Sequence, residues 1–339
     1  MAFTPTDLMS LTGRTEFEQM LYAMINSPDY YSVYPPVAQF IYRGLYVLSG
    51  PDLMSAILYY KTFVLLTDAG IVFLLLKLLR LRHLPEERIL LFALNPLVIL
   101  EFSGNLHMDG MMIAGLLGML LCLETKNRWG AILSMVFSIL SKLVTLILIP
   151  FMIEKKTWKE GVILSVITLA MTSFLMTVFA GHHTGWLDSV QLWFQHFEFN
   201  ASLYYLARYA GYLIKGYNTI AWVGPGLALL LMAGACILWL RYIRSASADR
   251  VESMLLLLTL YFFCSTTVHP WYIVILLPLC VLTHYRYPVA WTYLAVLSYS
   301  HYNGGAFQEH YLFITTEYLL LGVFMVWEMR SKLPVWAGK

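Results

Sequence analysis

The segment "EFSGNLHMDG" (101–110) sets several chemically able side chains between two apolar runs. Glu101 ends the first run and Asp109 starts the second, so both carboxylates can face one pocket at a membrane boundary. A carboxylate there can act as general base towards an acceptor hydroxyl. Glu101, His107 and Asp109 together could instead hold a divalent ion, Mg or Mn, beside a phosphate. A plainer reading is also open, in which Asp109 caps its helix and His107 bonds to backbone. "TTVHPWYIVILLP" sets His269, Trp271 and Tyr272 at a helix start, suited to a phosphate (His269) and a sugar ring (the aromatics). Trp and Tyr at that depth also serve as belt residues. "HFEFNASLYYLARY" (196–209) adds Asn200 and Arg208. Asn200-Ala201-Ser202 fits a glycosylation sequon, which matters only in a secretory pathway. Arg208 can meet a lipid headgroup as well as a substrate.

A membrane must position these residues. The chain has 339 residues, 59% hydrophobic and only 12% charged, where soluble domains carry about 25% charged residues. Mean hydropathy is +0.67, and the apolar runs approach the length that crosses a bilayer. A net charge of +2 gives no reason to expect a nucleic-acid partner. Cys122, Cys236, Cys264 and Cys280 all lie inside apolar runs and read as small buried hydrophobes. The sequence holds no P-loop, dinucleotide fingerprint or internal repeat.

Apolar runs predict membrane helices near 53–79, 88–102, 110–123, 130–151, 160–180, 219–240, 252–266, 271–283, 288–300 and 311–328. The expected fold is all-α, a polytopic bundle of about 10–12 membrane segments in a single domain. Its parts would be an external segment 1–52, a module 53–180, an external loop 181–218 and C-terminal helices 219–339. Basic connections at 77–88, 126–128, 241–250, 284–287 and 330–332 read as cytoplasmic. The opposite side then receives the unusual residues: Asp29, Tyr34, Glu101, Asn105, His107, Asp109, Trp186, Asp188, Trp193, Asn200, His269, Trp271, Tyr272, Gln308 and Glu309. One loop breaks the alternation, because the basic "EKKTWK" (154–159) follows the apolar 130–151. A hairpin of two half-helices turning at Ser141-Lys142 removes the conflict and puts Lys142 at its tip; a single span with a snorkelling lysine is the alternative. Broken helices survive only inside protein or beside a watery cavity.

The run 37–48 reads as a surface helix on the outer side, and the chain would then begin outside without a signal peptide. That suggests an earlier membrane helix missing from this sequence; the alternative is that 37–48 crosses. In the first long run Lys61 and Asp68 lie seven residues apart on one helix face, and Asp68 is expected to have a structural partner. His182-His183, in an exposed loop, is not expected to bind metal.

"YPPVAQ", "NPLVILEFSGNLHMDG", "SKLVTLILIP", "FEFNASLYYL" and "VHPWYIVILLP", in that order, resemble the GT-C fold, polyprenyl-phosphate-sugar-dependent glycosyltransferases, nearest the family 87-like and related mannosyltransferases. The resemblance implies a multi-pass membrane enzyme that moves a hexose such as mannose from a lipid-phosphate donor to an acceptor hydroxyl, with inversion, on the outer or luminal face. Its partners would be that donor, a glycan or lipid acceptor, and membrane lipids. The setting would be the plasma (inner) membrane of a bacterium or the endoplasmic reticulum membrane of a eukaryote. By the same resemblance Glu101 to Asp109 match an acidic loop and Lys142 a lysine near the donor phosphate. Tyr34, Pro35 and Pro36 match the end of the first external loop. Such enzymes carry an acid early in that loop, and Asp7 and Asp29 sit too late to be its equivalent. The rival readings are a transporter or flippase of a lipid-linked saccharide and a non-catalytic subunit of a glycan-assembly complex.

Overall fold

A computed structural model describes residues 5, 15–25, 28–180, 197–303 and 306–332. The chain forms two compact units, one from residues 1–74 and 105–193, the other from 75–104 and 194–339. Apart from one two-residue ladder, the regular structure among the described residues is helical, and its long apolar helices fit a polytopic membrane protein. Among the described residues four helices are long and apolar enough to cross a membrane: Leu53–Leu81, Trp158–Phe179, Ile220–Arg244 and Tyr311–Arg330. The other apolar runs form shorter or broken helices.

In the first unit, Thr15 and Glu18 make a reciprocal cap for α1 (Glu16–Ala23). Helix α2 (Pro36–Ser49) starts on a proline, where the missing N–H costs nothing, and stops at Gly50 with φ 63°. Helix α3 (Leu53–Leu81) runs unbroken for 29 residues, those to Leu74 belonging to the first unit and the rest to the second. Helices α4 (Asp109–Glu124) and α5 (Arg128–Ser141) form a tight pair. A Cβ on Gly115 would lie 2.8 Å from Ser134 O and from Ser138 Cβ, so only glycine allows this approach. Ser138 Oγ then donates to Met112 O at 2.7 Å across the contact. Close packing through small residues is how membrane helices associate.

The expected break is present. Helix α5 ends at Ser141, Lys142 is extended (φ −159°, ψ 128°), and a 3-10 helix runs from Leu143 to Met152. Both halves pack on one another and on α6 (Trp158–Ala180). Gly161 of α6 permits this, since a Cβ there would sit 2.4 Å from Ile153 Cα.

In the second unit the expected span 88–102 is fragmented. A 3-10 turn (Glu86–Ile89), two short helical pieces (Leu90–Ala93, Pro96–Val98) and a π-helix (Ile99–Gly104) replace it. Pro96 disfavours helical backbone in the residue before it, and Asn95 is extended, its side chain accepting from Leu97 N at 3.0 Å. The expected loop 181–218 contains helix α7 (Leu203–Lys215), followed by α8 (Ile220–Arg244) and α9 (Arg250–Cys264). Short pieces Pro270–Ile273 and Leu276–Val281 lead to α10 (Tyr287–Leu294), a 3-10 helix Ala295–His301, a two-residue ladder pairing Tyr302 with Phe307, and α11 (Tyr311–Lys332).

Candidate functional site

The site is set by one feature of the first unit. Helices α4 and α5 are joined by the short turn 125–127, with Asn127 Oδ1 accepting from Gly130 N at 2.9 Å. The first residue of α4 and the residue after α5 therefore arrive at the same end of the pair. These are Asp109 and Lys142, and the Lys142 ammonium binds the Asp109 carboxylate. The carboxylate is buried and the lysine mostly so. Asp109 is not a cap, because Met108 holds the N-cap position and no side chain caps this helix. Its negative charge nevertheless sits where the helix dipole favours it.

A cavity of about 150 Å³ lies over this pair, lined by Tyr34, Tyr42, His107, Ser141 and the two charged residues among others. Burial pushes the Tyr34 phenol up to about 12; the Asp109 charge adds to the rise and a hydrogen bond with Tyr42 opposes it. Tyr42 is raised further, by burial first and then by Tyr34 and Asp109. The His107 imidazole is lowered, mainly by burial and also by Lys142, with Asp109 acting against both. His107 therefore favours its neutral form. Leu106, beside it, has φ 59°, a strained conformation for a side-chain-bearing residue of the kind that collects at functional sites. Sequence reasoning missed Tyr42, which sits in a helix read only as a surface element.

Glu101, Asn200, Arg208, His269, Trp271 and Tyr272 lie in the second unit. Glu101, expected to share a pocket with Asp109, belongs to the π-helix of the second unit and is fully buried there. His269 stacks on Trp271 with ring centroids 4.3 Å apart, Tyr272 meets it edge-on, and Phe199 lies 4.4 Å away. The four rings form a compact aromatic group. Asn200 is 1% exposed. Its side-chain amide donates to Glu317 at 3.0 Å, and its backbone carbonyl accepts from Tyr318 at 2.6 Å. So placed, its side chain is turned into the protein rather than towards an open loop surface.

Arg208 is likewise committed internally, to Glu198 and, through Nη2, to Glu309 (2.7 Å) and Tyr311 (3.0 Å). That leaves no free fork for a headgroup or a substrate. Asp68 Oδ1 is buried without a hydrogen-bond partner among the described residues. Asp7, His182, His183, Trp186, Asp188 and Trp193 lie outside the described residues.

No group of three His, Cys, Asp or Glu side chains converges to hold a metal among the described residues. The Asp109 carboxylate is moreover already neutralised by Lys142. Asp109 and His107, both lining the cavity, are the side chains there that would face a divalent ion held with a phosphate.

What the arrangement can do follows from charge. An ammonium that can turn towards an anion sits beside a carboxylate that can take a proton, in a small polar cavity. Residues 28–155, which include every residue lining that cavity, match the family model described as alpha-(1->6)-mannopyranosyltransferase, N-terminal domain. The match supports a glycosyltransferase. It covers less than half of the chain, and with it come a sugar donor and a glycan acceptor as the partners to look for. No curated protein matches the chain, and no solved structure does.

Proposed function

We propose that this protein transfers a mannosyl residue from a polyprenyl-phosphate donor to an acceptor hydroxyl at the outer or luminal membrane boundary. The observation that carries this reading is the Asp109–Lys142 pair at the base of a cavity inside the mannosyltransferase-like segment. Lys142 is a point charge on a flexible stem, suited to following a phosphate. When the donor phosphate enters, the ammonium turns from Asp109 to it and stabilises the charge that develops as the phosphate leaves. Asp109, released, accepts the proton of the acceptor hydroxyl. The hydroxyl oxygen bonds to the anomeric carbon while the bond from that carbon to the phosphate oxygen breaks. The electron pair leaves with the phosphate, the proton rests on Asp109, and the anomeric centre inverts. Tyr34 and Tyr42, held protonated, donate hydrogen bonds within the cavity. In the second unit, Trp271 and Tyr272 are suited to a sugar ring and His269 to a phosphate.

The test is transfer of radiolabelled mannose from a synthetic polyprenyl phosphate in proteoliposomes, with Asp109→Asn and Lys142→Gln compared with the parent. Loss of transfer in both supports the reading. Retention of full transfer in either sinks the role given to that residue. Donor-dependent flux across the vesicle without bond formation would move the protein to the transporter class.

A further inference from the structure

Helix α7 has two unlike faces. Tyr204, Arg208 and Gly211, spaced four and three residues apart, point into the protein: Tyr204 and Gly211 are buried and Arg208 is held by Glu198 and Glu309. The opposite arc carries Leu206, Tyr209, Leu213 and Ile214, each between 66% and 76% exposed. At 3.6 residues per turn these form one continuous stripe, and it contains no charge. A soluble surface seldom leaves so much apolar side chain open in one patch.

The ends of α7 fix where this stripe lies. Before its first turn, Ser202 Oγ donates to Phe263 O, near the end of α9, at 3.0 Å. At its other end Gly216, with φ 78°, terminates the helix, and α8 begins at Ile220. A Cβ on Gly211 would lie 2.2 Å from Thr219 Oγ1, so the last turns of α7 press on the start of α8. Tyr204 O–H reaches Asn218 Oδ1 at 3.0 Å, and that oxygen also accepts from Ile220 N at 3.1 Å. Helix α8 is one of the four helices able to span the bilayer, and α9 packs along it after a short connection. The end of α9 and the start of α8 thus face the same side. Helix α7 is tied to both.

We propose that α7 is an interfacial helix whose uncharged face is buried in lipid at the membrane boundary. Continuity with α8 favours lipid over another occupant. Trp222, in the first turn of α8, is 78% exposed on an apolar spanning helix, and the stripe carries Tyr209, the residue type that collects at bilayer interfaces. Helices with one apolar and one strongly polar face lie in the interfacial plane in this way. The region reads from sequence as an external loop, and this inference sets its helix on the membrane. It does not depend on the glycosyltransferase assignment.

The test is site-specific photocrosslinking in nanodiscs of defined phospholipid, with benzoylphenylalanine in place of Leu206, Tyr209 or Leu213 in the full chain. A probe replacing Trp222 serves as the lipid-facing reference. Expected are adducts heavier by one phospholipid at all three stripe positions, in yield comparable to that at Trp222. Adducts to a second copy or to another segment of the chain would overturn the proposal, since protein would then cover the stripe. Absence of any adduct at all three positions, with the Trp222 reference reacting, would overturn it by placing the stripe in water. Variants are assayed only after each elutes as a single species, and three independent positions keep the result decisive if one fails to fold.

Discussion

Asp109 opens one helix and Lys142 follows the end of the next, and the short turn between those helices makes the two charges meet. Neither residue is near the other in sequence. In the proposed reaction each member takes a second partner: a hydroxyl proton for the carboxylate, a phosphate for the ammonium.

Removing one member leaves the other charge largely buried. Asp109→Asn or Lys142→Gln should each lower the unfolding free energy by about 3 kcal/mol and abolish transfer. The double variant should recover most of the stability and none of the activity. Thermal unfolding in detergent beside the transfer assay checks this. An active double variant would reduce the pair to a structural tie.

Gly115 lets α4 and α5 approach closely enough to bring that pair together. Gly115→Leu should cost about 1–3 kcal/mol through overpacking and reduce transfer further than the stability loss accounts for, since it displaces Asp109 relative to Lys142. Ser138→Ala removes only the hydrogen bond to Met112 O and should cost about 1 kcal/mol with transfer largely kept. Equal losses in the two variants, measured as kcat at a temperature where both stay folded, would contradict this separation.

Much of the scaffold is legible in the sequence because it rests on local signals. The unbroken helices α3, α6, α8 and α11 follow from long apolar runs, and the break at Lys142 follows from a charge pattern that a single span violates. What escapes is anything fixed by packing at a distance. Glu101 reads as the end of a regular helix but lies fully buried in a π-helix. Asn200 looks like an exposed loop amide, but it is sealed against Glu317, 117 residues on. Arg208 looks free, but it is pinned by carboxylates at positions 198 and 309. Helix α7 has an amphipathic spacing that was legible, but it sits within a stretch whose flanks read as loop.

Tyr34 supplies a pH signature. Its ordinary value is 10.0 and the folded protein holds it up to about 12, through burial first. The neutral phenol is therefore favoured on folding, so this contribution is present below pH 10 and is lost as pH rises towards 12. Melting temperature should fall less steeply from pH 9.5 to 11.5 in Tyr34→Phe than in the parent. Identical slopes would mean that Tyr34 ionises without penalty.

The Arg208 cluster gives the opposite sign. Burial raises Glu309, but hydrogen bonds from Arg208, Tyr205 and Tyr311 outweigh it and hold the carboxylate below its ordinary 4.5. That stabilisation is present above pH 4.5 and is lost as pH falls through the depressed value. In Arg208→Met the carboxylate stays largely buried but loses its cation, so its protonated form becomes the favoured one. The variant should be less stable than the parent at pH 7, by about 3 kcal/mol, and should recover part of that difference at pH 4.5 as Glu309 takes up a proton. Arg208→Lys keeps the charge but not the fork that reaches Glu198, Glu309 and Tyr311 together, so it should fall between the two at pH 7. Unfolding curves at the two pH values decide it: a deficit in Arg208→Met that is unchanged or larger at pH 4.5 would show that the arginine packs there without neutralising Glu309.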